Sequence, residues 1–150
     1  MEPITRQIVL ERPDIRLVHI PELQVMMMEH LGNAKDADYR EVFGALPELY
    51  DEYPWKVAVS NELAMKTFPS GTRMWMATKY VHTARVKKML GRTHLAVTIK
   101  SQNAFGATMG NLLHQVLKRV TGYNMKRFQT EKEAFQHIEE RYGVAHQELV

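Results

Sequence analysis

The chain has 150 residues, of which 45% are apolar and 25% charged, which is the composition of a single globular domain. It contains no cysteine, so disulfides, thiolate metal sites and cysteine nucleophiles are excluded. No run approaches the roughly 20 apolar residues of a membrane helix, and the N-terminal residues lack the apolar core of a signal peptide. We therefore expect a cytoplasmic protein.

Charge is distributed unevenly around the formal net charge of +3. Residues 1–70 carry 7 basic and 12 acidic side chains, whereas residues 71–150 carry 13 and 5. No acidic residue lies between Gly71 and Thr130. Such a block can attract nucleic acid, a phospholipid surface or an acidic protein, or it can simply solvate helix faces. We favour solvation, because the aromatic and basic motifs of nucleic-acid-binding proteins are absent.

Three apolar segments near the N-terminus predict β-strands: Ile4 to Leu10, Asp14 to Ile20 and Leu23 to Leu31. The third contains three consecutive methionines, Met26 to Met28. Methionines can form an adaptable binding surface or fill irregular space in a core, and we favour the core.

A helix follows, and it begins at Asp36 or Asp38, because a carboxylate can accept hydrogen bonds from the free N–H groups there. Pro47 is predicted to kink this helix or divide it into two pieces, because proline disturbs the helical hydrogen bonds. Pro54 ends the helix. The apolar run Trp55 to Val59 then predicts a short central strand.

The sequence Phe68-Pro69-Ser70-Gly71 predicts the start of a second helix, which extends towards Leu90. Its apolar residues fall on two sides, one with Met74, Ala77, Val81 and Ala84, the other with Trp75, His82, Val86 and Met89. A helix with two apolar sides lies deep in the core or meets a partner chain. The second side therefore predicts a homodimer.

Leu95 to Ile99 predicts a second central strand, next to Trp55–Val59. Ser101 or Asn103 caps the helix that follows. The last strand is Met125 to Phe128, and Thr130 then opens the last helix. This alternation predicts an α/β fold, with helices packed on a single mixed sheet in one domain.

The last third of the chain carries a family resemblance. LAVTIKSQNAFGATMGNLLHQV is followed by MKRFQTEKEAFQHI, in which a strand passes into a helix. The residues at this strand-to-helix transition that carry the resemblance are Phe128, Thr130, Lys132, Glu133 and Ala134. Thr130 and Glu133 also form a capping box. The pattern resembles the STAS domain, and more closely its SpoIIAA-like branch of small bacterial proteins.

The resemblance implies a cytoplasmic regulatory or protein-interaction module similar to the anti-sigma factor antagonists. Relatives of that kind bind a regulatory kinase, which phosphorylates a serine in a D-x-S-G-type loop after the third strand. The corresponding segment here, VAVSNELAMKTFPSGTRMW, lacks that aspartate and the compact loop. The candidate switch or interaction residues are Ser60, Asn61, Ser70 and Gly71. Ser70 matches best by position, although it can equally be a plain helix N-cap, which we favour.

No pattern in the sequence indicates an enzyme. None of the seven histidines forms a metal-binding motif, and nucleophile-elbow, dinucleotide and P-loop motifs are absent. We therefore expect no catalytic residues, no metal and no cofactor. An alternative function is the carriage of a small anionic or lipidic ligand in the crevice at the C-terminal ends of the strands. The residues there are Ser101, Gln102 and Asn103, beside Ser60 and Asn61, although Ser101 and Asn103 can also act only as helix caps.

Overall fold

In the part of the chain that the structure describes, six strands form one mixed sheet, and their order in space repeats their order along the chain. The computed structural model describes residues 4–100, 118 and 125–144. The strands are β1 (Gln7–Arg12), β2 (Ile15–Ile20), β3 (Val25–His30), β4 (Val57–Asn61), β5 (Leu95–Ile99) and β6 (Met125–Phe128). β1 to β3 pair antiparallel, and β3 to β6 pair parallel. The predicted α/β fold with a single mixed sheet is confirmed.

Helices cover both faces of this sheet. Face 1 carries the side chains of Leu17, Met26 and Met28, and it packs against α1 (Asp36–Glu52), α2 (Ser70–Thr78) and α3 (Ala84–Gly91). Face 2 carries Val18, Met27 and Val97, and it packs against α4 (Glu131–Tyr142). Each face thus has its own apolar core, which is the arrangement expected when crossover helices shield parallel strands.

The three consecutive methionines follow the two-residue period of a strand. Met26 and Met28 point to face 1, whereas Met27 points to face 2. All three are at most 7% exposed, so the prediction that they fill the core is confirmed.

The two central strands lie side by side as predicted, with Val59 opposite Val97. β4 starts two residues later than predicted, at Val57. Trp55 is buried against the Tyr50 ring of α1, with ring centroids 4.7 Å apart. Its apolar character therefore reflects packing against a helix and not strand pairing.

α1 continues through Pro47 as one helix, so the predicted division does not occur. Proline has no N–H, and the carbonyl four residues earlier, that of Phe43, loses its helical donor. The buried Tyr80 hydroxyl donates to that carbonyl instead, over 2.6 Å. A side chain from a distant segment thereby replaces the missing helical hydrogen bond.

The continuous helix predicted from Ser70 towards Leu90 is wrong. α2 ends at Thr78, a 3-10 turn spans Tyr80–His82, and α3 follows. Several residues near the break, Thr78, Val81 and Thr83, are β-branched and weak helix formers, and the turn directs Tyr80 towards Phe43.

The homodimer prediction depended on the second apolar side of that helix. Two residues of this side, Val86 and Met89, are buried in the core of face 1 and therefore offer no surface to a partner chain, whereas His82 is exposed. The homodimer stays a prediction. Met74 is the most exposed large apolar side chain in the described part of the chain, at 65%.

The start of α4 agrees with the sequence prediction. The Thr130 hydroxyl accepts a hydrogen bond from the N–H of Glu133 over 3.2 Å, as a capping residue does. The helix predicted after Ser101 lies outside the described residues, together with the candidate crevice residues Ser101, Gln102 and Asn103.

Candidate ligand site

The C-terminal ends of β3, β4, β5 and β6 meet at one edge of the sheet, because these strands run parallel. His30 is the last residue of β3, and Ser60 is the penultimate residue of β4. Both belong to the edge at which open α/β sheets bind ligands. Ser60 was predicted to belong here, whereas His30 was not.

A chain of hydrogen bonds crosses this edge. The Tyr39 hydroxyl lies 2.8 Å from His30 Nδ1, His30 Nε2 lies 2.9 Å from Ser60 Oγ, and Ser60 Oγ lies 2.9 Å from Glu62 Oε2. If Ser60 donates to the Glu62 carboxylate, then His30 Nε2–H donates to Ser60, and His30 Nδ1 accepts from Tyr39. Every member of this edge network, Tyr39, His30, Ser60 and Glu62, is then satisfied.

Burial controls the ionisation of the edge network. Loss of solvent lowers the pKa of His30 to about 4, so the ring is neutral near pH 7. Burial also raises the pKa of Glu62, although the Ser60 hydrogen bond and the charges of Lys100 and Arg127 partly oppose this. A general base works best with a pKa near the working pH. His30 is therefore a weak base, and the network is better suited to holding polar groups in place than to activating Ser60.

A cavity of about 140 Å³ lies between face 1 and helices α1 to α3. Its described lining contains six methionines, four aromatic residues and no lysine or arginine. The methionines are Met26, Met28, Met65, Met76, Met89 and Met125, and the aromatic residues are Phe43, Trp55, Phe68 and Tyr80. His30, Ser60 and Glu62 also line it, so the edge network forms a polar part of an otherwise apolar wall.

Ser60 and Asn61 do not form one site, because successive side chains of a strand point to opposite faces. The Asn61 amide donates to Glu131 Oε1 over 2.8 Å, and its oxygen accepts from the N–H of Leu63 over 3.2 Å. Asn61 therefore ties β4 to α4, away from the cavity on face 1.

Ser70 and Gly71 are exposed in the first turn of α2. Pro69 occupies the N-cap position and no side chain caps this helix, so the N-cap interpretation of Ser70 is wrong. Asp36 lies at this helix start and accepts a hydrogen bond from Thr72 over 2.5 Å. That bond, with help from Arg40, lowers the pKa of Asp36. The two candidate serines thus stand in separate environments.

Two other features, a metal-binding group and a membrane-spanning helix, were sought within residues 4–100 and 125–144. No group of three or more His, Asp and Glu side chains there is arranged to hold a metal ion. None of the helices in this part of the chain combines the length and the apolar character needed to cross a bilayer.

Sequence reasoning missed His30 and Tyr39 because the contacts of His30 join residues 9 and 30 positions apart. Glu62 belongs to the network only through Ser60, two positions before it. One signal was available. Alternation along β3 places His30 on the same face as Met26 and Met28, and a histidine on a buried face needs hydrogen-bond partners.

Comparison with known proteins adds no relative to this description. No protein-family model matches the chain, and no curated protein shows significant similarity to its sequence.

Proposed function

We propose that this protein binds a small apolar molecule in the cavity between face 1 and helices α1 to α3. The supporting observation is the lining, which combines six methionines with four aromatic residues. Methionine side chains are flexible and polarisable, and they recur where a surface adapts to apolar guests. A cavity of about 150 Å³ with an apolar lining can bind benzene, so about 140 Å³ fits a guest the size of one aromatic ring.

Binding without covalent chemistry agrees with the edge network. Its hydrogen bonds are satisfied within the protein, and the pKa of His30 is too low for an efficient general base at neutral pH. The proposal keeps the lipidic form of the ligand predicted from the sequence. It drops the anionic form, because no described lysine or arginine lines the cavity.

Toluene is a suitable probe, and calorimetry and thermal unfolding are suitable measurements. A guest that binds only the folded state at ten times its Kd adds about 1.4 kcal/mol to the free energy of unfolding. We expect this increase in the wild type. It should be absent in Ala96→Leu, because Ala96 is 4% exposed and lines the cavity, so the larger side chain fills part of the space.

Val97→Ile is the matched control, because Val97 follows Ala96 in β5 but points to face 2. It should bind toluene as the wild type does. A wild-type protein that shows neither heat of binding nor a rise in melting temperature would remove the proposal.

We propose a second candidate, a regulatory interaction module of the STAS or SpoIIAA-like kind, acting in the cytoplasm with a kinase partner. The exposed Ser70 and Gly71 at the start of α2, after β4, favour it. The Asp36 carboxylate at the same helix start opposes it, because it would repel a phosphate group there. Ser70→Ala and Ser70→Asp should differ in partner binding if this candidate holds, and identical behaviour of the two variants would count against it.

A further inference from the structure

The carboxylate of Glu62 brings an unused acceptor to the wall of the cavity. Its Oε2 accepts the Ser60 hydroxyl, whereas its Oε1 makes no hydrogen bond to a described residue. Glu62 is only partly buried, and Oε1 is not among the buried unpaired polar atoms of the described residues, so a small molecule can reach it. An ionised carboxylate accepts about four hydrogen bonds. Glu62 can therefore accept from Ser60 and from a guest at the same time.

Three observations place this carboxylate at the polar end of the cavity. Glu62 belongs to the lining, and it holds the hydroxyl of Ser60, which lines the cavity as well. Loss of solvent raises the pKa of Glu62, an effect that an acid in open solvent does not experience. Burial raises the pKa of Tyr39, and the negative charge of Glu62 raises it further. The carboxylate is thus turned inwards, towards the edge network.

The other polar side chains of the described lining use their donors inside the protein. Within the edge network each donor is taken by the next member, and the chain of hydrogen bonds ends at Glu62. The Tyr80 hydroxyl donates to a backbone carbonyl of α1, and the Thr93 hydroxyl donates to one of α3 over 3.1 Å. The indole N–H of Trp55 is closed to solvent. The described side chains of the wall therefore offer a guest an acceptor and no free donor.

The donor that fits this acceptor is uncharged. The positive charges of Lys100 and Arg127 already act on Glu62 against the effect of burial, so a cationic guest would meet two like charges beside an apolar wall. A hydroxyl group donates without carrying a charge. Its hydrogen bond to a carboxylate is about twice as strong as one between neutral groups.

We propose that the guest of this cavity is a small neutral hydroxyl compound, a phenol or an alcohol, whose O–H donates to Glu62 Oε1. This inference rests on the proposed function, and it adds the chemical class of the guest and the residue that recognises it.

Phenol and toluene test the inference, because they differ only in a hydroxyl and a methyl group of similar size. We expect the ratio of the toluene Kd to the phenol Kd to fall at least about tenfold in Glu62→Met, as the loss of a hydrogen bond to a charged group implies. Methionine is about as long as glutamate but is only a weak acceptor. Glu48→Met is the matched control, because Glu48 is exposed on α1 and does not belong to the described lining, and it should keep the wild-type ratio.

Nuclear magnetic resonance of the Glu62 carboxyl carbon gives a second readout on the wild type, and it decides alone if Glu62→Met does not fold. A hydrogen bond to the ionised form lowers the pKa of an acid, whereas exclusion of water raises it. Phenol at saturating concentration should therefore lower the pKa of Glu62, and toluene should raise it.

The two experiments separate this inference from the proposed function. Binding of both probes, with an unchanged Kd ratio in Glu62→Met or with a pKa change of Glu62 in the same direction for both, would overturn this inference and leave the proposed function intact. Failure of both probes to bind would overturn the proposed function, and this inference with it.

Discussion

Tyr80→Phe should lower the free energy of unfolding by about 1 to 3 kcal/mol, because it leaves a buried carbonyl without its donor. The carbonyl is that of Phe43, which lies four residues before Pro47 and accepts the Tyr80 hydroxyl over 2.6 Å. The ring of Tyr80 remains in the variant, so the apolar packing of this 7% exposed side chain is largely preserved. Urea unfolding measures the difference.

The Phe43 carbonyl lacks a helical donor because residue 47 is a proline, which has no N–H. Pro47→Ala supplies an N–H at that position, and the helix can then satisfy Phe43 by itself. In the Pro47→Ala background, Tyr80→Phe should therefore cost at least about 1 kcal/mol less than in the wild type. Tyr50→Phe is a control, because the structure shows no hydrogen bond of its hydroxyl to any described residue. An equal effect of Tyr80→Phe in both backgrounds would refute the explanation.

Three further predictions concern other parts of the molecule. The pKa of His30 is lowered to about 4 in the folded protein, from about 6.5 in the unfolded chain. The neutral ring therefore contributes its full stability above pH 6.5, and this contribution of about 3 kcal/mol is lost as the pH falls towards 4. Urea titrations of His30→Gln should lack that part of the pH dependence. Thr130→Ala should lower the free energy of unfolding by about 1 kcal/mol through loss of the helix cap, whereas the exposed Lys132→Ala should change it by under about 0.5 kcal/mol; equal effects would contradict the capping role. Asn61→Ala should destabilise by about 1 to 2 kcal/mol, because it removes the hydrogen bond to Glu131, and an unchanged urea midpoint would show that this contact contributes nothing.

The sheet could be predicted because its signals are local. Apolar runs such as Leu95–Ile99 are bounded by polar or turn residues, and the strands are found where these runs occur. The capping box at Thr130 is likewise a local pattern, and α4 begins there.

Features that depend on contacts between distant segments could not be predicted. The helix after Ser70 was expected to be continuous because its apolar residues keep helical spacing, but the hydrogen bond of Tyr80 to the Phe43 carbonyl of α1 favours a broken path. The edge network was missed for the same reason, since Ser60 meets His30 only after β3 and β4 pair.

The order of the strands has a consequence for biosynthesis. Because neighbours in the sheet are also successive along the chain, each new strand can join an edge that is already present when it leaves the ribosome. None of the strands in the described sheet has to wait for a later segment and then insert between two paired neighbours, a step that prolongs the exposure of open edges to aggregation. The growing edge advances from β1 to β6. In the finished sheet this edge is β6, a strand of only four residues in which Lys126 and Arg127 are exposed. Their positive charges discourage a strand of another molecule from pairing there.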